Sequence, residues 1–356
     1  MSDSDTAGRG WSRRSALTTL TATTAATALG AGSAAAHSVP GHRGPGHDRY
    51  EQTANGRLYE IRSGRNRAVV AGVAATLLSW RVGGDEMLLT HEPNDPGEGY
   101  QGKTILPWPN RIDRGTYEFG GERLQVPINE PSRQAALHGL MNFVEWEPVR
   151  HGADSVRLRY LLHPQYGYPF SVEFSIEYAV DRHGVRCTLT AENRGSAAAP
   201  VGWANHTYLA AGPGGTDRMG LRLPAETYYR TNDRLIPTGT AAVSGTEYDF
   251  REEREIGATE MDTAFKDLAR DGDGHAVVQF GLEDGREVLL WMDEAYGYLQ
   301  VYTDDAPSED RGQPARSGIT VEPNTCPPNA FVTGEAVRVL RPGERHTATW
   351  GLRSTG

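Results

Sequence analysis

The chain has 356 residues, 38% of them hydrophobic and 23% charged, with a formal net charge of −10. That length is enough for one large hydrophobic core or two modest ones. The negative balance argues against a nucleic-acid backbone as partner, which would demand a basic face, and no stretch approaches about 18 consecutive apolar residues, so no membrane span is expected in the mature chain.

The first 36 residues do not read as part of a fold. Arg13-Arg14 precedes an Ala/Leu/Thr run that ends in Ala34-Ala35-Ala36. A charged region, a weakly apolar region and a small-residue site in that order form an export signal, and the paired arginines suggest the twin-arginine route, to the periplasm or beyond the cell. Residues 37–55, beginning "HSVPGHRGPGHDRY", read as a Gly/Pro/His linker. His37, His42 and His47 lie in it without anything to set ligand geometry, so a solvated linker is expected rather than a metal site. Residues 56–356 are expected to form one domain.

The stretch "GEGYQGKTILPWPNRI" at 97–112 matches the phosphate-loop spacing, with Gly97, Gly102, Lys103 and Thr104. A phosphate loop needs a helix directly after it. Here Pro107 disfavours helical geometry at Leu106, and Pro109 would break the first turns. The nucleotide reading fails on that context.

From about residue 56 onward the sequence alternates with period two. "VRLRYLL" sets Val156, Leu158 and Tyr160 against Arg157 and Arg159. "VEFSIEYAV" sets Val172, Phe174, Ile176 and Tyr178 against Glu173, Ser175 and Glu177. "VRCTLTAEN" repeats the pattern with Val185, Cys187, Leu189 and Ala191. These are half-buried antiparallel strands, punctuated by turns such as "DRHG", "ENRG", "EDGRE" and "LRPGE". The inward position of Cys187 favours a buried free thiol over a disulfide with Cys326. Only "EMDTAFKDLAR" carries a weak helical period. The fold class is all-β, in stacked antiparallel sheets.

Nucleophile elbows, zinc-protease motifs and dinucleotide fingerprints are missing, so any chemistry must come from scattered histidines and carboxylates. Four places stand out: His138 in "AALHGL", His206 in "VGWANHTYL", Asp262 in "EMDTAFKDL" and Glu322 in "GITVEPNTCPPNAF". Each also has an ordinary structural reading. The histidines could be satisfied core residues, Asp262 a helix cap, and Glu322 half of a buried ion pair with Arg111.

Together "LPWPNRIDRGTYEF", "LHGL", "YGYPF", "NHTYLA", "MDTAF", "YLQVYT" and "VEPNTCPPNAF" stand in the order found in the aldose 1-epimerases, or mutarotases. The chain resembles that family over essentially all of 56–356. The resemblance implies a single galactose mutarotase-like β-supersandwich acting on a free monosaccharide, a hexose, with neither metal nor organic cofactor. It also implies His206 as the acid on the ring oxygen, Glu322 as the base on the C1 hydroxyl, and His138 as a second histidine near the ring oxygen. Arg111 with Asn110 would grip sugar hydroxyls, Asp262 would accept hydrogen bonds from them, and Gln300 would lie near C1. Trp203 and Tyr208 could stack on the sugar or belong to the core. The residue types suit the chemistry. Opening a hemiacetal requires an acid and a base on one C–O unit, histidine is partly protonated near neutrality, and burial strengthens a carboxylate base. A phosphorylated or sulfonated hexose, or a sensing module without catalysis on the same fold, remain alternatives.

Overall fold

The period-two alternation is realised as antiparallel sheet. The computed structural model describes residues 53–97, 99–306 and 314–355; the expected export signal at 1–36 and most of the expected linker lie outside these. Strand Val172–Val180 alternates strictly between buried and half-buried positions along all nine residues. It pairs in full register with Ser155–Leu162 on one side and Gly184–Asn193 on the other. Fully burying an Ile or Phe contributes roughly 1.5–3 kcal/mol. A one-residue slip would turn Phe174, Ile176 and Tyr178 outward together, so the hydrophobic pattern itself holds the register.

These strands belong to a nine-stranded antiparallel sheet that continues through Arg345–Thr355, Glu287–Met292 and Ala276–Gly281. A second, eight-stranded sheet contains Ala225–Thr231, Asp262–Leu268, Tyr298–Tyr302 and Gly318–Asn324 in that order, followed by Ala204–Asn205 and Thr104–Ile105. A four-stranded antiparallel sheet, from Leu58–Ser63 to Asp85–Glu86, precedes both in the chain. One continuous apolar cluster includes Phe174, Leu189 and Trp350 from the first of these sheets and Phe265, Leu299 and Val321 from the second. Tyr178 ties them with a polar contact: its hydroxyl donates to Ala75 O at 3.0 Å and accepts from Asn205 Nδ2 at 3.3 Å. The architecture is the expected all-β one.

Two local expectations are corrected. "EMDTAFKDLAR" is not helical: Asp262–Leu268 is a strand between Ala225–Thr231 and Tyr298–Tyr302. Thr263, Ala264 and Phe265 are consecutively buried. A strand covered on both faces loses its alternation and can mimic a helical period. The packed fold also takes in Asn55, which the sequence places in the linker. It is fully buried, and its side-chain amide donates to Pro93 O at 2.8 Å and Asp95 O at 2.6 Å. Cys187 and Cys326 are both free and buried, as the alternation around Cys187 suggests.

Candidate active site

Strand Gly318–Asn324 is buried at every position and carries Glu322. Gln300 is its direct cross-strand partner on one side. On the other side, Ala204 pairs with Asn324 and Tyr208 with Thr320, so His206 falls level with Glu322. Sheet register alone therefore sets His206, Glu322 and Gln300 in one row. Asp262 is opposite Tyr302, two residues beyond Gln300, which keeps it on the same face because side chains alternate.

The opposing wall comes from loops. Arg111–Asp113 pairs with Ala135–Leu137, and His138 N donates to Asn110 O at 2.9 Å. Asn110 and His138 both take left-handed backbone conformations, with φ of 52° and 59°, an uncommon state for non-glycine residues that is tolerated best by Asn, Asp and His. The glycine of the "LHG" motif has a steric reason. A Cβ on Gly139, at φ 73°, would lie 1.8 Å from Leu106 O, so only glycine lets the His138 turn settle against the Leu106 segment.

Between these walls lies a cavity of about 430 Å³ lined by Asn110, Arg111, His138, His206, Asp262, Gln300 and Glu322, with Tyr100, Arg133, Tyr208 and Tyr302 completing it. All seven sequence-selected site residues therefore face one cavity. His206 Nε2 lies 3.4 Å from Glu322 Oε1, with side-chain exposures of 7% and 2%. The His138 ring stands edge-on to His206 at 5.1 Å between centroids. Gln300 Nε2 donates to Asp262 Oδ1 at 2.6 Å. Among the described residues no group of three or more His, Cys, Asp or Glu side chains is arranged to hold a metal ion.

Burial dominates the electrostatics. It pushes Glu322 well above the usual carboxylate range, reinforced by Asp262 and opposed by Arg111. It pushes His138 well below its ordinary value, with His206 and Arg111 adding to the effect, so His138 is neutral at pH 7. Asp262 is raised by burial against the pull of Arg111, Arg133 and Gln300. Glu322 Oε2, His138 Nδ1 and Gln300 Oε1 are buried and have no hydrogen-bond partner among the described residues. Unpaired buried polar atoms are costly. Three of them converging on one cavity mark a place where a polar ligand would supply the missing bonds.

Arg111 does not pair with Glu322, as the ordinary reading had it. Its guanidinium is held in a two-pronged contact by Glu130, with Nε to Oε2 at 2.7 Å and the second bond at 2.9 Å. Glu130 also accepts from Arg133 at 2.8 Å, and Asn110 Oδ1 accepts from the Arg111 backbone N–H. This fork fixes the plane of the arginine. Sequence reasoning missed Glu130, Arg133 and Tyr100. "INEPSR" is an unremarkable polar loop until folding brings it to Arg111, and Tyr100 sits inside the phosphate-loop-like stretch. The stacking candidates separate cleanly: Trp203 is a core residue donating to Tyr296 Oη at 3.2 Å, whereas Tyr208 lines the cavity.

Glu130→Ala leaves two arginines without their carboxylate and is expected to cost about 3 kcal/mol, the scale of breaking a buried ion pair. Burial alone would raise Glu130, but the hydrogen bonds from Arg111 and Arg133 outweigh it and hold the group below its ordinary value. A depressed carboxylate stabilises the fold above its unfolded pKa, and that stability is lost as pH falls through the folded value. Urea melts of both proteins should therefore differ most near neutrality and converge in acid; an equal gap at all pH values would contradict the ion pair.

The aldose 1-epimerase family profile matches residues 57–353. An Escherichia coli (strain K12) relative, the uncharacterized protein YihR, is 31% identical over 293 residues, covering 82% of this chain and 91% of that one. Galactose mutarotase of Mus musculus is 27% identical over 281 residues, covering 70% and 78% respectively. In structure, the chain is similar to the GalM/aldose epimerase homologue from C. elegans, with a TM-score of 0.75 at 20% identity over 84% of this chain and 98% of that one. A match extending from the first strand of the fold to the last leaves one assignment: the chain belongs to the aldose 1-epimerase family.

Proposed function

We propose that the protein interconverts the α and β anomers of a free hexose by opening and reclosing the hemiacetal ring. The observation that carries this reading is the 3.4 Å approach of His206 Nε2 to Glu322 Oε1 inside a polar cavity. The two oxygens of a hemiacetal share one carbon, so the acid and base that serve them must converge on neighbouring atoms.

In the forward half, the Glu322 carboxylate takes the proton of the C1 hydroxyl and C1 becomes a carbonyl. The C1–O5 bond breaks, its electron pair stays on O5, and His206 protonates that oxygen. Rotation about C1–C2 presents the other carbonyl face. On closure O5 attacks C1 and returns its proton to His206, while Glu322 returns a proton to the carbonyl oxygen. The reactive arrangement has the proton on His206 and none on Glu322. It holds as many protons as the arrangement with Glu322 protonated and His206 neutral, which burial of the carboxyl favours, so the pair need not change charge to become active. His138, kept neutral, can donate one hydrogen bond beside the ring oxygen without competing for the proton. Arg111, Asn110, Asp262 and Gln300 grip the remaining hydroxyls.

The test is one-dimensional NMR of dissolved α-anomers of several hexoses with and without the protein. Accelerated exchange supports the proposal, and sugar binding without exchange would replace it with the sensing module. One observation favours a second reading, an anionic hexose: Arg133 lines the cavity beside Arg111, with Glu130 between them. Including a hexose 6-phosphate and a sulfonated hexose in the same assay separates the two, since a phosphate or sulfonate binding at Arg133 would make the anionic sugar exchange faster than its neutral counterpart. The residue order at 1–36, if it acts as an export signal, would place this activity outside the cytoplasm.

A further inference from the structure

The Gly-Lys-Thr of the phosphate-loop-like stretch is buried. Lys103 is 0% exposed, a state that lysine almost never adopts unless paired. Among the described residues its ammonium has no hydrogen-bonded carboxylate. Nζ donates to Pro96 O at 2.7 Å and Asn142 O at 3.2 Å, and it lies 4.1 Å from the centre of the Phe143 ring. Burial pushes the group down to about 8, with the charge of Asp95 opposing. A methionine would fill a similar volume without this desolvation cost, so the ammonium must gain something from the two carbonyls it holds together.

Those carbonyls belong to the two segments that frame the histidines. Asn142 is four residues beyond His138, and its side chain donates to His138 O at 2.7 Å. Pro96 directly precedes the turn in which Tyr100 N donates to Gly97 O. Tyr100, at φ 60°, presents its ring to His138 at 4.7 Å and to His206 at 6.0 Å. The backbone of the same motif grips His206 from both sides: Gly102 N donates to His206 O, and His206 N to Lys103 O, both at 2.9 Å. Gly102, at φ 71°, is required there because a Cβ would lie 2.2 Å from Leu77 O.

We propose that Lys103 is a positioning residue of the sugar site: by holding the Pro96 and Asn142 carbonyls on one ammonium, it sets Tyr100 against His138 and His206. This rests on the epimerase reading, because the placement it controls is that of the proposed acid. The lysine acts through Tyr100 and touches neither sugar nor reacting atoms.

The experiment compares Lys103→Met, Tyr100→Ala and the double variant. Lys103→Met is expected to lower kcat/KM for anomer exchange about tenfold, as small misplacements of a catalytic pair do, and to shift the ring-proton NMR signals of His138 and His206. In the Tyr100→Ala background the same change should cost less than about twofold, because the group it positions is gone. An unaltered kcat/KM with unmoved histidine signals would overturn the proposal, as would a full loss that persists without Tyr100, which marks a merely structural lysine. Should Lys103→Met fail to fold, Lys103→Leu, which likewise has no donor for the two carbonyls, is read the same way. If the unmodified protein exchanges no sugar, the epimerase reading fails by itself, while the histidine signals still decide whether Lys103 holds Tyr100.

Discussion

Glu322→Gln is expected to lower anomer exchange by about 10²–10⁴-fold, the usual contribution of a positioned general base, while the protein stays folded. The amide keeps the volume and polarity of the carboxyl but cannot accept the C1 hydroxyl proton. Stability should move the other way. Glu322 sits in a strand buried at every position, and burial raises its pKa far above the unfolded value. A group with a raised folded pKa lends its full stability below the unfolded pKa and loses it as pH rises through the folded one. At neutral pH the native protein therefore carries a penalty, for protonating this carboxyl or for burying its charge, that the glutamine variant does not carry. Thermal melts should show the variant at least as stable as the native protein at pH 7, with its relative advantage shrinking near pH 4. A folded variant with native exchange rates would remove Glu322 from the mechanism. The same raised pKa predicts that exchange by the native protein increases with pH on the acid side, as more of the pair loses the proton that blocks Glu322.

His206→Ala should cost a similar factor, about 10²–10⁴, for a different reason: the ring oxygen loses its proton donor, and the departing electron pair is left without an acid. Because acid and base act on one C–O unit, their losses should not add. The double variant is expected to be little slower than the worse single one, since residues that work as a unit are strongly non-additive. Polarimetry on the three variants checks this. Two independent, multiplying losses would mean that His206 and Glu322 do not serve the same bond, despite the 3.4 Å between them.

How much was legible beforehand differs by level. Strands such as Val172–Val180 and Gly184–Asn193 were readable because one face is buried and the other is not, so side-chain alternation is written directly in residue type. Asp262–Leu268 was not, because burial on both faces erases the alternation. The seven candidate site residues were found through ordered motifs resembling a family, not through spacing or composition. Glu130 and Lys103 carried no such signal. A glutamate in a polar loop and a lysine in a glycine turn look solvent-exposed until folding brings Arg111 to the first and two backbone carbonyls to the second.

By itself the sequence determined the all-β class and which face of each alternating strand turns inward, since these depend on local side-chain chemistry and its period along the chain. Tertiary structure alone decided that His206 and Glu322, 116 residues apart in the chain, meet in one cavity, that Arg111 is held by Glu130, and that Lys103 is enclosed. Each of those depends on burial and on partners from distant segments, and both exist only once the sheets have packed.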